Sequence, residues 1–306
     1  MQIFNFGSIN IDHIYRVPHL VKPGETLSST GYQQVLGGKG ANQSIAMART
    51  GLAVTHIGRY HPSDQALLTP LLTLLSDASL LQASNQQASG HAMIQVDDHG
   101  ENNILLHAGS NHSFQPEEVA ALLAHADSGD WLLLQNECSC TAEMIQAAVN
   151  KGMRVAFNPA PMTAAVQDYP LDKLRLLFVN QVEAAQLLST TQENTVNTQW
   201  LAEQFQRSLP ETEVVITLGA SGACWCYQGQ TIHMPAPRVN AVDTTGAGDT
   251  FIGYYLHGVI TGLTTTQALE QACAAGALCV QHPGASVSIP TLRAVRQLLE
   301  STDHAA

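Results

Sequence analysis

The sequence predicts an α/β fold, a three-layer α/β/α sandwich with a mostly parallel central sheet and a small β-sheet lid. Short β-rich runs alternate with helix-length segments, which is the pattern of β-α-β units on a parallel sheet. Two further β-rich stretches interrupt this alternation, and they predict the separate lid. We expect residues 1–306 to form a single α/β domain, with lid strands from about 13–36 and 90–107.

The central sheet is predicted from short apolar runs. They cover residues 3–6, 54–58, 131–135, 155–158, 176–179 and 214–218. Helices are expected at 41–50 and 142–151, because Gly51 and Gly152 follow them as C-terminal stop signals. Runs 223–227 and 230–234 are joined at Gln228-Gly229, which predicts an antiparallel hairpin.

The last part of the chain and the lid have their own signals. Apolar residues keep helical spacing after Asp249, and Thr264 with Gln267 offers a capping box for a helix that runs to about residue 281. Residues 30–36 and 92–107 are predicted to form the lid, the second stretch turning at Asp98-His99-Gly100.

Composition excludes several classes of function. Asp and Glu number 25 against 13 Lys and Arg, a net charge of −12, so binding to a nucleic-acid backbone is not expected. No apolar run reaches the roughly 18 residues of a membrane span, and the N-terminus lacks a secretory signal. We therefore expect a cytoplasmic protein with neither nucleic acid nor membrane as a partner.

The six cysteines do not predict a disulfide scaffold in a chain of this length. Cys138 with Cys140 and Cys224 with Cys226 form two C-x-C pairs, which at strand periodicity place both sulfurs on one face. Zinc sites use wider spacing with further ligands, so we interpret these cysteines as small buried hydrophobic residues.

The first chemical signal is the segment L-G-G-K-G-A-N, residues 36–42. Glycines beside a lysine at a helix start let the backbone approach a polar ligand closely. The spacing is not that of a phosphate-binding Walker A loop, because Lys39 is followed by Gly40. A glycine-rich turn before a packed helix explains the segment equally well, and both interpretations stay open on these residues alone.

The second signal is D-T-T-G-A-G-D-T-F, residues 243–251. Gly246, Ala247 and Gly248 are expected to present unpaired backbone N–H groups at a helix N-terminus, which is an anion site for charge developing on a phosphoryl group. Asp249 is then placed to take a proton from an attacking hydroxyl. An N-cap role for Asp249 is the alternative, but capping alone does not require three small residues before it.

Taken together, the ordered motifs resemble those of the ribokinase-like (pfkB) carbohydrate kinases over essentially the whole chain. The motifs are G-S-I-N-I-D-H-I, P-G-E-T, G-G-K-G-A-N-Q, H-A-G-S-N, N-P-A-P, N-Q-V-E, I-T-L-G-A-S-G, the aspartate segment and G-A-S-V-S-I-P. The resemblance implies transfer of the ATP γ-phosphate to the primary hydroxyl of a sugar, with D-ribose as the expected substrate. It also implies that Asp249 is the general base and that Gly246 to Gly248 form the anion hole.

The resemblance also implies a set of ligands. The sugar would be held by Asn10 and Asp12 at the end of the first strand, by Gly38, Lys39, Gly40 and Asn42, and by Glu137. The nucleotide and its Mg²⁺ would use Asn180, Glu183, Thr217, Gly219, Gly222, Gly248 and Cys273, with Glu183 reaching Mg²⁺ through water. A K⁺ ion would be held by Asp243, Thr245, Cys279, His282, Gly284 and Ser288.

Some features leave alternatives open. Cys273 stands where family members often carry a polar residue, and residues 59–64 replace the family's Gly-Asp loop beside the sugar pocket. For Glu183, a first-turn helix acid is the alternative role. The alternative enzyme is a kinase for a related pentose, for deoxyribose or for a nucleoside; with a nucleoside, Met93 and Ile94 of the lid would lie against the base. The third hypothesis is a sugar sensor that does not catalyse a reaction. The lid edges and the resemblance imply a homodimer through the lid.

Overall fold

The structure of this chain is a computed structural model that describes residues 1–303. Within that range its strands form two sheets. The central sheet has the order β13-β12-β11-β10-β9-β8-β1-β4-β5 and the smaller sheet the order β3-β2-β6-β7. The strands are β1 (Ile3–Phe6), β2 (Asn10–Arg16), β3 (Gly31–Gly37), β4 (Val54–Tyr60), β5 (Leu81–Ala83), β6 (Gly90–Val96), β7 (Asn102–His107), β8 (Trp131–Gln135), β9 (Arg154–Asn158), β10 (Leu176–Asn180), β11 (Glu213–Thr217), β12 (Ala223–Tyr227) and β13 (Gln230–Met234).

The central sheet is parallel from β11 to β5, and the hairpin of β12 and β13 extends it antiparallel at one edge. Successive residues of its strands enter two different apolar clusters: Leu133 packs on one face, and Leu132 and Leu134 pack on the other. Both faces of the sheet are therefore covered, as the continuous apolar runs of parallel strands require.

Helices cover the two faces in separate layers. On one face lie α1 (Lys39–Arg49), α2 (Thr69–Leu72), α7 (Ala247–Thr261), α8 (Thr265–Cys279) and α9 (Leu292–Asp303). On the other lie α3 (Val119–Leu122), α4 (Thr141–Asn150), α5 (Gln181–Leu187) and α6 (Thr198–Ser208). The predicted α/β/α sandwich is confirmed, and none of these helices is long and apolar enough to cross a membrane.

The lid sheet pairs two distant parts of the chain. β2 runs antiparallel to β3 and parallel to β6, and β6 runs antiparallel to β7. The turn between β6 and β7 forms at the expected place, with Gly100 at a φ of 84° and its N–H bonded to the Asp97 carbonyl at 3.1 Å. The separate small sheet is thus confirmed.

Two expectations about local structure were wrong, and one short strand was missed. The first strand ends at Phe6, and Asn10 and Asp12 lie on β2 of the lid sheet instead of at that strand's end. The three-residue strand β5 was not expected, because it is too short to show a period. Cys138 and Cys140 follow the end of β8 and are not on a strand, whereas Cys224 and Cys226 share a face of β12 with sulfurs 3.8 Å apart.

Candidate active site

The candidate site lies where the C-terminal ends of the parallel strands meet the N-terminal ends of α1 and α7, the usual place for a ligand in a sheet of this kind. A cavity of about 190 Å³ opens there. It is lined by Lys39, Asn158, Ala160, Phe178, Val179, Asn180, Glu183, Thr217, Thr244, Gly246, Gly248, Asp249 and Ile252. The sequence-predicted base, the helix N-terminus and the N-x-x-E pair therefore share one cavity.

Asp249 is held in this cavity by two side chains of α1. Its Oδ2 accepts a hydrogen bond from Nδ2 of Asn42 at 3.0 Å, and its Oδ1 accepts one from Nε2 of Gln43 at 2.9 Å. The N-cap of α7 is Gly246, three residues earlier. The capping interpretation of Asp249 is therefore wrong, since its carboxylate is bound by another helix.

The turn before Asp249 leaves backbone donors free. Gly246 has a φ of 77°, which favours glycine. Among residues 1–303 the N–H groups of Gly246 and Gly248 have no hydrogen-bond partner, while that of Ala247 donates to the Thr244 carbonyl at 3.2 Å. The predicted trio of open donors is thus reduced to two. They lie at the positive end of a 15-residue helix.

The glycines of residues 37–40 are explained by contacts within the chain. A Cβ on Gly37 would lie 2.1 Å from Oδ2 of Asp12, and one on Gly40 would lie 2.3 Å from the backbone N of Ser8. Gly38 adds a φ of 92°. The close approach is therefore made to the chain itself, and it brings Asp12 against the start of α1.

Glu137 joins this segment to the end of β8. Its Oε2 accepts hydrogen bonds from the hydroxyl of Ser8 and, at 3.0 Å, from the backbone N–H of Lys39. Asn10 approaches from β2, and its Oδ1 accepts a hydrogen bond of 2.8 Å from Nδ2 of Asn111. The structure thus brings residues for which the resemblance predicts sugar binding together from the lid, the start of α1 and the segment after β8.

Charges on this side perturb one another. Burial and the charge of Glu137 raise the pKa of Asp12 from 3.8 to about 7. Burial likewise raises the pKa of Glu137, in spite of the nearby Lys39. Burial alone would lower the pKa of Lys39, but the carboxylates of Asp249, Glu137 and Glu183 hold it above its ordinary value. Lys39 is therefore a permanent positive charge among acids.

Several buried polar side-chain atoms of the described residues lack a hydrogen-bond partner, and one of them belongs to Asn42, which binds Asp249. Oδ1 of Asn42 is buried without a hydrogen bond in the part of the chain the structure describes. Its Nδ2 is already bonded to Asp249, so the free oxygen requires a donor from elsewhere. A buried acceptor without a donor costs about 1–3 kcal/mol.

Asn180 and Glu183 form a reciprocal capping box at the start of α5. The side chain of Asn180 accepts from the N–H of Glu183 at 2.9 Å, and Glu183 Oε2 accepts from the N–H of Asn180 at 2.9 Å. The first-turn role considered for Glu183 is therefore present, although both residues also line the cavity. Burial raises the pKa of Glu183.

The remaining nucleotide positions are placed less directly. Thr217 lines the cavity at the end of β11. Gly222 has a φ of 99°, and a Cβ there would lie 1.9 Å from the Met234 carbonyl, so the hairpin itself requires glycine. At Gly219, with a φ of 58°, no atom of residues 1–303 lies within 4 Å of an added Cβ. Cys273 is buried in the core, and its Sγ lies 3.8 Å from the same Met234 carbonyl.

Residues predicted to hold a monovalent cation lie in two neighbouring loops and at the C-terminal end of α8. Asp243 accepts hydrogen bonds from Thr245 and, at 2.8 Å, from the N–H of Gly284. The Sγ of Cys279 lies 3.1 Å from Oγ of Ser288 and 3.9 Å from the Thr245 carbonyl. The Cys279 carbonyl accepts from the N–H of His282 at 3.2 Å. The carboxylate of Asp243 thus joins the two loops, and each of its oxygens already accepts a hydrogen bond from within the chain.

The segment that departs from the family pattern is held by Arg59. Its guanidinium donates to Gln82, to Ser113 and, at 2.6 Å, to Glu118, and it stacks on the Phe114 ring at 4.3 Å. All three nitrogens have partners, so Arg59 anchors this loop and does not offer a free charge to a ligand.

Sequence reasoning gave no role to three residues that the structure brings to the site. Ser8 binds Glu137, Asn111 binds Asn10, and Gln43 binds Asp249. Each stands inside a quoted motif. However, their partners are between 101 and 206 residues away, so only the folded chain shows the contacts.

Comparison with known proteins decides the family. Residues 2–292 match the pfkB family carbohydrate kinases. The chain belongs to the pfkB family. A ribokinase of Haemophilus influenzae is 33% identical over 96% of this chain and 97% of its own length. A deoxyribokinase of Salmonella typhi is 29% identical over 98% of this chain and 99% of its own length.

A solved pfkB-type structure agrees with the fold. Arabidopsis thaliana ribokinase, complexed with ribose and ATP, superimposes with a TM-score of 0.84 at 27% identity, covering 97% of this chain and 98% of that one. The resemblance drawn from the ordered motifs is therefore confirmed, and this pfkB protein is a sugar kinase.

Proposed function

We propose that this chain transfers the γ-phosphoryl group of ATP to the primary 5-hydroxyl of D-ribose, giving ribose 5-phosphate and ADP. The observation that carries the proposal is the placement of Asp249. Its carboxylate is buried, is bound on both oxygens from α1, and lines the same cavity as the open N-terminus of α7. A proton acceptor and an anion site are therefore adjacent.

The acceptor sugar is assigned to the side built from β2, α1 and the end of β8. Asn10, Asp12 and Glu137 offer oxygen acceptors to hydroxyls there, and the unpartnered Oδ1 of Asn42 needs a donor. Gly38, Lys39 and Gly40 complete this wall. A site built to bond hydroxyls rejects sugars that leave its buried groups unpaired.

In the transfer, the hydroxyl proton passes to Asp249 as the oxygen forms its bond to the γ-phosphorus, and the bond from that phosphorus to the β-phosphate oxygen breaks. ADP leaves with the bonding electron pair. The N–H groups of Gly246 and Gly248 and the dipole of α7 stabilise charge on the transferring group, as Lys39 does through its permanent positive charge. Positioning and electrostatics supply the catalysis.

The donor nucleotide is assigned to Asn180, Glu183, Thr217, Gly219 and Gly222, and to Gly248 and Cys273. Carboxylate and amide oxygens at Asn180 and Glu183 line the cavity and suit Mg²⁺, which binds few protein ligands directly and keeps several waters. Bound there through water, Mg²⁺ would neutralise phosphate charge. The capping box fixes both side chains for that purpose.

We further propose that K⁺ binds beside the anion site. Asp243, Ser288 and the backbone oxygens of Thr245, Cys279, His282 and Gly284 supply hard ligands in one cluster. Asp243 already ties residue 245 to residue 284. A cation there would stiffen the turn that carries Gly246 without touching substrate.

Assembly and location complete the proposal. The lid exposes Tyr32, Met93, Ile104, Leu105 and Leu106, and no other strand of the described residues pairs with the outer edges of β3 and β7. A second copy that covers the lid would bury this surface and protect the edges.

We assign the enzyme to the cytoplasm, because all six cysteines are free thiols.

The test is a substrate panel with ATP and Mg²⁺: D-ribose, 2-deoxyribose, other pentoses, hexoses and nucleosides, each in K⁺ and in Na⁺. We expect the highest kcat/KM with D-ribose, and faster turnover in K⁺. Preference for 2-deoxyribose or a nucleoside would overturn the choice of sugar but not the chemistry. Absence of turnover with every acceptor would overturn the kinase.

A further inference from the structure

Gln43 binds the proposed base from a position outside the cavity. It is fully buried and does not line the cavity, whereas Asp249 does. Its Nε2 donates to Oδ1 of Asp249 at 2.9 Å. Asn42 holds only the other oxygen, Oδ2, at 3.0 Å. With Asn42 alone, the carboxylate could turn about its Cβ–Cγ bond, so the second donor determines its plane.

The amide of Gln43 is itself held in one orientation. Its Oε1 accepts a hydrogen bond of 2.6 Å from Nε2 of Gln135. Reversing the amide would place oxygen against Asp249 and nitrogen against nitrogen. An amide with a carboxylate on one side and a donor on the other has a single favourable orientation.

Gln135 is held through its amide nitrogen, which meets two oxygen acceptors, while its Oε1 is buried without a hydrogen-bond partner among the described residues. Its Nε2 also donates to Oδ1 of Asn5 at 2.9 Å. Nδ2 of Asn5 then donates to the Gly40 carbonyl at 2.8 Å and to the hydroxyl of Ser44 at 2.7 Å. Each of these side chains is buried, so exchange with water cannot reorient them.

The far end of this chain of hydrogen bonds is a neutral histidine. Nε2 of His56 lies 3.0 Å from the Gly7 carbonyl, which can only accept, so that nitrogen carries the proton. Nδ1 therefore accepts from the hydroxyl of Ser44 at 2.8 Å. Burial lowers the pKa of His56 to about 4, so this end does not change with pH in the physiological range.

We propose that Gln43 is a positioning residue for Asp249, and that Gln135 acts through it by fixing its amide. The proposal rests on Asp249 being the base of the proposed kinase. The pair keeps one carboxylate oxygen bound at Gln43 and the carboxylate plane constant while the acceptor hydroxyl loses its proton. Misplacement of a reacting group by about 1 Å can cost roughly 100-fold in rate.

The experiment compares Gln43→Met with Gln271→Met. Both glutamines are buried amides on helices, but Gln271 bonds the Tyr254 carbonyl and His257, away from the cavity. We expect Gln43→Met to lower kcat roughly 10- to 100-fold with KM for both substrates nearly unchanged. Gln271→Met should lose a similar amount of thermal stability and keep its kcat.

Gln43→Glu adds a readout that a purely structural role would not change. At pH 8 the introduced carboxylate repels Asp249, and kcat should fall. At lower pH the introduced carboxyl group is protonated and can donate as the amide did, so kcat should recover relative to wild type at the same pH. Gln135→Met should give a smaller fall, because the Gln43 amide remains but can reverse.

Two results would overturn the inference. One is a kcat for Gln43→Met within about threefold of wild type, which is under 1 kcal/mol of transition-state stabilisation. The other is an equal fall in kcat for Gln43→Met and Gln271→Met. Should Gln43→Met fail to fold, an unchanged pH profile for Gln43→Glu would overturn it instead. Absence of turnover in wild type would refute the kinase, which is a separate outcome.

Discussion

The backbone N–H of Lys39 donates a 3.0 Å hydrogen bond to Oε2 of Glu137, which lies 98 residues further along the chain. This contact joins the first turn of α1 to the segment that follows β8. The same carboxylate accepts from Ser8 after β1. Three segments of the chain are therefore joined at the carboxylate of Glu137. Lys39, one of the residues it binds, lines the cavity that also contains Asp249, so the proposed sugar side and nucleotide side are adjacent.

Replacing Asp249 by Asn should remove turnover. General-base catalysis contributes roughly 10²- to 10⁴-fold, so kcat should fall by about that factor, while ribose binding measured by calorimetry changes little. The introduced amide faces a donor from Asn42 or Gln43, so a fall in melting temperature is also expected. Asp168→Asn, at an exposed position, is the control. Retained activity in Asp249→Asn would refute the base.

Gly248→Ala should separate stability from activity. Gly248 lies in α7, and an added Cβ would have no atom of the described residues within 4 Å, so the fold accommodates it. Alanine stabilises a helix by about 0.4–1 kcal/mol relative to glycine. The methyl group would nevertheless enter the volume proposed for the phosphoryl group, so kcat should fall.

Differential scanning fluorimetry and initial rates give both quantities for this variant. A raised melting temperature with normal kcat would contradict the assignment of Gly248 to the anion site. A lowered melting temperature would contradict the open space above it.

Asp12→Asn should stabilise the protein more at pH 8 than at pH 5. The pKa of Asp12 is raised from 3.8 to about 7 in the folded protein, so between those values the folded state binds a proton that the unfolded chain has lost. Stability due to this group is therefore present at low pH and is lost as the pH rises through about 7. An amide at this position stays neutral at every pH, so the variant avoids the free-energy cost of a buried negative charge at pH 8.

Melting temperatures at the two pH values, without ligands, test this sign. In the kinase assay, KM for ribose of the wild type should rise as the pH falls below about 7, since protonation removes an acceptor. Asp12→Asn should raise KM for ribose and leave KM for ATP unchanged. Equal melting shifts at both pH values would contradict the buried charge.

Gly219 and Gly222 should respond differently to alanine. At Gly222 the new Cβ would clash with the Met234 carbonyl at 1.9 Å, so we expect about 3 kcal/mol or more of lost stability. At Gly219 the space is open, and only the left-handed backbone costs about 1–2 kcal/mol.

Chemical denaturation measures both losses. If the space above Gly219 belongs to the nucleotide, Gly219→Ala should also raise KM for ATP. An unchanged KM for ATP would remove Gly219 from the nucleotide site and leave the hairpin explanation of Gly222 intact.

The central sheet was predictable because its signals are local. A mostly apolar run such as 131–135 predicts a strand that is buried on both faces. The capping box at Thr264 and Gln267 formed as predicted, because its two residues are only three positions apart in the sequence. β5 is too short to show a period. The lid was expected to begin near residue 13, and the first residues of β2 were missed because Asn10 and Asp12 interrupt the apolar pattern there.

The residues of the candidate site also fall into two groups, those that local sequence signals identify and those that they do not. Asp249, the glycines before it and the N-x-x-E pair could be found in the sequence, because a helix N-terminus and its cap are made within a few residues. Gln43, Ser8 and Asn111 could not, since their partners are 206, 129 and 101 residues distant.

The sequence by itself determined the layers, the family motifs and the identity of the proposed base. Only the tertiary structure decided that Asp249 is bound by α1 instead of capping its own helix. It also showed that the glycines of residues 37–40 make room for Asp12 and Ser8. The physical reason is the separation of the interacting residues along the sequence. Helix caps and strand periods depend on residues a few positions apart, whereas the direction of a buried carboxylate depends on donors that only folding brings to it.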